Sequence, residues 1–255
     1  MKTLPQIIFL AISVWSLPVQ GTVTISFSQM TQGDLTDLTA AGTLDWVKWG
    51  NGEADDGLVF ATVEKSGGTI INSALTVTDP TAEGQPSVVL ATFNPATSIL
   101  AFSWTDGTAT MAGGGPVDNV VTQAMTPAQF SYPIGIGQSF TAAAAAELRV
   151  IDVYVQGFDS DMLLTAALSG GASQSIIVSP TVNPVGDAAN TFSFGRFRVT
   201  YSGVGETLTI STLTLNDGSR VGAQSPFANA GMFAATVTSA MDVPLQINSG
   251  LNDAW

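Results

Sequence analysis

Short runs rich in Val, Ile, Thr and Phe recur along the chain. Each is closed by Gly, Asp, Asn or Pro, and almost nowhere does the three-to-four-residue apolar spacing of an amphipathic helix appear. The runs at 23–28, 58–65, 69–77, 87–93 and 99–104 read as strands in the first half. Those at 147–156, 162–168, 173–179, 194–201 and 207–215, and the run holding Phe233, Ala235 and Val237, follow in the second. Ser66-Gly67-Gly68 reads as a hairpin turn. In 207–215 the apolar parity switches, from Leu208 and Ile210 to Leu213 and Leu215, which predicts a bulge near Ser211. Five alanines at 142–146 are the best helix signal, but so short a run supports one turn at most, or an extended approach to the next strand. Strands at this spacing predict an all-β fold, an antiparallel β-sandwich of jelly-roll type.

The first 21 residues read as a signal peptide: Lys2, an apolar run from Ile7 to Val14, then Pro18 before Val19-Gln20-Gly21. Residues 22–240 are expected to form a single β-sandwich domain, with Gly113-Gly114-Gly115-Pro116 as a loop inside it rather than a linker, and 241–255 as a C-terminal tail. A leader implies a secreted or extracellular protein, with the periplasm as the other destination. The chain has no cysteine, so its core must hold without disulfides.

Formal net charge is −13, and all 20 acids lie beyond the leader. Such a field argues against nucleic acid and anionic lipid as partners. No apolar stretch after the leader is long enough for a membrane-spanning helix. With neither histidine nor cysteine present, Ser-His-Asp and Cys-His mechanisms and the usual zinc and iron ligand sets are excluded. Chemistry that needs only oxygen remains. Asn51, Glu53, Asp55 and Asp56 alternate along one loop as candidate calcium ligands, though without the glycine and glutamate positions of an EF-hand. Asp159 and Asp161 form a smaller cluster. A solvated acidic turn is the plain alternative for both.

Two segments hold every tryptophan between the leader and the last residue: GTLDWVKWG at 42–50 and FSWTDGT at 102–108. Trp46 and Trp49, with Asp45 and Lys48 beside them, and Trp104 with Asp106, are candidate ligand-binding residues. An exposed indole stacks on a sugar face, and a neighbouring carboxylate or ammonium bonds hydroxyls. Core packing is the alternative. If the first segment is a strand, Trp46 and Trp49 face opposite ways, one to the core and one to a ligand. In the strand at 147–156, Asp152 and Tyr154 occupy the face opposite Ile151, Val153 and Val155, which makes them a second candidate binding face.

With these motifs, and with RVIDVYV at 149–155, the chain resembles a little-characterised β-sandwich module of secreted bacterial proteins over roughly residues 29–240. That module is similar to galactose-binding-like and carbohydrate-binding-module jelly rolls. The resemblance implies a sandwich fold and a carbohydrate or cell-surface polymer as partner, and brings no catalytic residues with it. The expected function is therefore a secreted non-catalytic binding module, with calcium as the one candidate cofactor. A structural or adhesive surface protein and a two-carboxylate glycan-active enzyme are the alternatives.

Overall fold

The computed structural model describes residues 20–49, 62–78, 89–93, 100–107, 121–125, 135, 137–181, 192–215 and 229–242. The chain is an all-β sandwich whose strands β1 to β15 form two antiparallel sheets and one small parallel ribbon.

The larger sheet runs β1 (Thr22–Gln29), β13 (Phe192–Ser202), β10 (Arg149–Phe158), β15 (Asn229–Ser239), β3 (Asp45–Trp49) and β4 (Thr62–Glu64). β8 (Val121–Met125) also pairs with β15, and β6 (Val89–Phe93) pairs with β8. The second sheet runs β12 (Ser173–Val178), β11 (Met162–Leu168), β14 (Thr207–Thr214), β9 (Gly137–Ala143) and β5 (Ile71–Thr78). Period-two alternation places Ile151, Val153 and Val155 of β10 and Phe197, Val199 and Tyr201 of β13 between the sheets. They meet Leu164, Ala166, Phe140, Leu208 and Ile210 of the opposing sheet there.

The outer face of the larger sheet is covered in part as well. β2 (Asp34–Asp37) pairs in parallel with β7 (Leu100–Ser103), and the only helix among the described residues, α1 (Leu38–Ala41), follows β2. Leu38, Leu100, Phe102 and Trp104 from this third layer pack on Trp46, Tyr154, Phe194 and Phe233 of the sheet. A bulge helps: pairing of β10 with β15 slips between Tyr154 and Val155 and passes over Phe233, so Phe233 and its neighbour Ala234 both join this outer cluster.

Several local expectations need correction. The helix is not in the alanine run. Ala142 and Ala143 end β9, and Ala142 is pulled into the core with Phe140. The helical turn stands instead at 38–41, where the Asp37 carboxylate accepts from the backbone N–H groups of Thr39 and Ala40. Ser66-Gly67-Gly68 does turn, with Gly67 at φ 79° and Gly68 N–H donating to the Lys65 carbonyl, but it closes no hairpin. It carries the chain from β4 in one sheet to β5 in the other. β14 has no bulge: its register is unbroken, with Thr212 and Thr214 buried and Leu213 turned outward. Side-chain polarity misled the parity reading, because small Thr residues occupy core positions. The expected leader lies outside the described residues except for Gln20 and Gly21, as does the tail beyond Asp242 and the Gly113–Pro116 loop.

Strands from before Gly113 are shared between the two sheets: β3 pairs with β15, and β5 pairs with β9. Proteolytic nicking between residues 108 and 120 should therefore give two fragments that co-elute under native conditions. Neither should give a cooperative melt alone. Two separately folding halves, each with its own unfolding transition, would contradict this topology.

Candidate functional site

The tryptophan-rich segment is β3, and all five of its residues are buried. Trp46 and Trp49 do face opposite ways, as a step of three along a strand requires. Trp49 points between the sheets, 4.9 Å from the Phe140 ring, and its indole N–H donates to the Ser73 carbonyl at 2.8 Å. Trp46 points into the outer cluster, 5.9 Å from Trp104. The expectation that one indole meets solvent is thus corrected: the third layer covers the face that would have been open. Trp104 is buried in that layer too. Lys48 shares the Trp46 face. It is fully buried, its ammonium donates to the Trp49 carbonyl at 2.7 Å, and it lies 5.7 Å from the Phe102 ring centroid.

Two carboxylates lock this region. Asp45 accepts from its neighbour Trp46 N–H at 2.8 Å, and from Ile70 and Ile71 N–H at 2.6 and 2.8 Å. It thereby ties β3 to the start of β5 in the opposite sheet. A Cβ on Gly68 would fall 2.0 Å from this carboxylate, so the turn glycine is required by space. Asp106 accepts from the Trp46 indole at 2.9 Å and from the Thr39 hydroxyl at 2.6 Å, and pairs with Lys65 at 2.5 Å. Desolvation acts to raise its pKa. The hydrogen bonds from Lys65, Thr39 and Trp46 and the Lys65 charge outweigh that and lower it to about 2. Gly107 completes the motif: a Cβ there would sit 2.8 Å from Trp104 and 2.9 Å from Trp46. WTDG is thus a packing and hydrogen-bonding motif, and Asp45 and Asp106 act as structural acceptors.

Asp152 and Tyr154 present a different picture. Cross-strand register aligns Ser26, Arg198, Asp152, Thr236 and Trp46 in one row on the outer face. Ser28, Arg196, Tyr154, Ala234 and Lys48 form the next. The third layer covers the Trp46 and Lys48 end of these rows. Arg198 holds Asp152 in a two-pronged pair, 2.7 Å at each prong, which raises the Arg198 pKa despite its partial burial. Arg196 reaches Asp152 only at 3.8 Å, its Nε finds no acceptor among the described residues, and its side chain is 39% exposed. Burial, then the nearby Asp152 charge, pushes the Tyr154 phenol up, so it stays protonated and serves as a neutral hydrogen-bonding group.

Beside Tyr154 and Arg196 an open groove of about 650 Å³ runs between the end of β1 and the β2–α1 segment. Ser28, Gln29, Thr31, Asp34 and Asp37 supply its polar groups, and Leu35 its exposed apolar one. Asp34 already accepts from Thr31 N–H at 2.8 Å, and Asp37 caps α1. Of the residues singled out in the sequence, only Tyr154 lines this groove. Arg196 was visible merely as one of two arginines alternating with Phe197, Val199 and Tyr201. The groove's other walls come from the end of β1, from α1 and from β2, a strand too short and polar to be read in advance.

The candidate calcium loop, with Asn51, Glu53, Asp55 and Asp56, lies outside the described residues. Asp159 and Asp161 are buried at the turn between β10 and β11, Asp159 at φ 50°. No protein-family model matches the chain, nor does any curated protein or solved structure.

Because both indoles are core groups, Trp46→Ala and Trp49→Ala should each destabilise the fold by ~3–5 kcal/mol in denaturant titrations. One variant with unchanged stability would place that ring at the surface. Asp106 has a depressed pKa, so its contribution is full above its ordinary value of 3.8 and is lost as pH falls towards about 2. Asp106→Asn should cost about 1–2 kcal/mol at neutral pH, after discounting for solvent screening, and should flatten the loss of stability between those two pH values. A variant with the wild-type acid profile would contradict the assignment.

Proposed function

We propose that this chain is an exported, non-catalytic binding module that recognises a carbohydrate or another hydroxyl-rich cell-surface polymer in the groove over Tyr154 and Arg196. The observation that carries the reading is the groove's lining. Serine, glutamine, threonine and carboxylate groups stand around one underused guanidinium, in a space the size of a small-ligand site. Sugar hydroxyls both donate and accept, and such a mixed set meets them on both terms. The two groove carboxylates are committed to backbone N–H groups, which favours binding over acid–base work. The leader-like first 21 residues support export, and the resemblance to carbohydrate-binding sandwiches points the same way.

A second reading, a structural or adhesive surface protein, is favoured by the outer face of the five-stranded sheet. Register aligns Ser175, Thr165, Ser211, Ser139 and Thr76 across all five strands. A parallel row holds Ser173, Ala167, Thr209, Thr141 and Asn72. Neither row carries a charge.

A glycan array, probed with and without calcium and followed by calorimetry on the best ligand, tests the first reading. Arg196→Ala and Gln29→Ala should each weaken binding about tenfold, ~1.4 kcal/mol. Thr209→Ala, on the opposite side of the sandwich, should leave it unchanged. A silent array would remove the reading, and so would groove variants that bind like the wild type. Loss at Thr209 alone would transfer the site to the hydroxyl face.

A further inference from the structure

We infer that β12 is a self-association edge, through which a second copy of this chain extends the five-stranded sheet. The inference rests on the sheet edge and is independent of the groove.

β12, Ser173-Gln174-Ser175-Ile176-Ile177-Val178, pairs among the described residues with β11 alone. An edge strand presents unpaired N–H and C=O groups, and natural sheets guard such edges with charge, proline or a bulge. β12 has no charged residue and no proline, and its register with β11 is unbroken. Ser173, Gln174 and Ser175 are exposed, and Ile177 is 59% exposed. Beside it a groove of about 310 Å³ between β12 and β1 is lined by Phe27, Ile176, Ile177 and Val178 together with polar Gln29, Ser179, Thr181 and Ser193.

Two other edges differ, whereas β6 (Val89-Leu90-Ala91-Thr92-Phe93), paired among the described residues with β8 alone, is likewise free of charge and proline. β5, on the far side of the same sheet, is bulged between Asn72 and Thr76. Ser73 fastens it across the sandwich, its carbonyl accepting from the Trp49 indole and its hydroxyl donating to Glu64. β1 carries no charge itself, but Ser26 and Ser28 stand directly beside Arg198 and Arg196, so two copies meeting there would approach with cations on both sides.

Charge selects the occupant. The chain carries −13, and two copies repel at long range. They can meet only where neither brings a charge into contact, and β12 offers that. Of the described carboxylates at that hairpin, Glu206 is bound by the N–H groups of Gly21 and Gly170 at the turn end, and Asp161, which precedes Met162 opposite Val178, is buried. An antiparallel pairing about a two-fold axis centred on any β12 residue sets residues of equal parity opposite each other. Centred on Ser175, it puts Ile177 of each copy opposite Ser173 of the other. The row Ser175–Thr165–Ser211–Ser139–Thr76 then continues without a break over both sheets.

Sedimentation velocity on the protein over a wide concentration range, at low and high salt, tests this. A monomer–dimer equilibrium is expected that strengthens with salt, because screening relieves the repulsion. Ser175→Lys places like charges directly opposite each other in the dimer, and Ile177→Lys sets a lysine against Ser173 of the other copy and removes the apolar contact there; each should raise the dissociation constant at least about tenfold. Their solvent-facing positions leave the monomer's melting temperature near that of the wild type. Should Ile177→Lys fail to fold, Ser175→Lys serves alone. Thr209→Lys, on a central strand of the same face, should leave the dimer intact. A wild type that stays monomeric at both salt concentrations overturns the inference, as does a dimer indifferent to both edge lysines. Disruption by Thr209→Lys would also overturn it, since that would mean face-to-face stacking.

Discussion

The Asp106 carboxylate decides what lies on the outer face of the larger sheet. It sits on a turn after β7 and accepts from an indole on β3, a hydroxyl on α1 and an ammonium just after β4. Four parts of the chain distant in sequence are thereby held at one point. Once they are, Phe102 and Trp104 can only lie on Trp46, Tyr154 and Phe233, and the third layer follows. Charge-assisted hydrogen bonds of this kind have more geometric definition than the apolar contacts around them. The apolar contacts supply most of the stabilisation, and the carboxylate sets where they form.

The third layer explains how the sandwich buries nearly all of the aromatic rings among its described residues. Two sheets offer one interface, and a Trp on the outer face would meet water. Here β2, α1 and β7 make a second interface, so β3 is buried on both faces. The layer also stops short of β1. The groove exists because the cover ends there, with Tyr154 and Arg196 at its margin. The bidentate Asp152–Arg198 pair beside it spends the local carboxylate on one arginine and leaves the other available.

The sheet strands were legible because half-buried antiparallel strands alternate. β10 and β13 announced their faces through Ile151, Val153, Val155 and Phe197, Val199, Tyr201. The opposed directions of Trp46 and Trp49 followed from spacing alone. Their burial did not, because it depends on Leu38, Phe102 and Trp104 arriving from elsewhere, a fact of tertiary structure that no local pattern encodes. β2 was missed because Asp34-Leu35-Thr36-Asp37 is short and polar. Its strand conformation is imposed by pairing with β7. Thr212 and Thr214 misled the parity reading because a core tolerates a small hydroxyl residue. The groove, built largely from β2 and the end of β1, was correspondingly invisible.

The central claim is that GTLDWVKWG and WTDG form a core hinge-point of the fold, with both indole N–H groups committed to protein acceptors. Hydrogen exchange of the indole N–H protons of Trp46 and Trp49, assigned by Trp→Phe substitution, measures this directly. Slow exchange of both, approaching the rate set by global unfolding, is the expected result. Rapid exchange of either under native conditions would contradict the account.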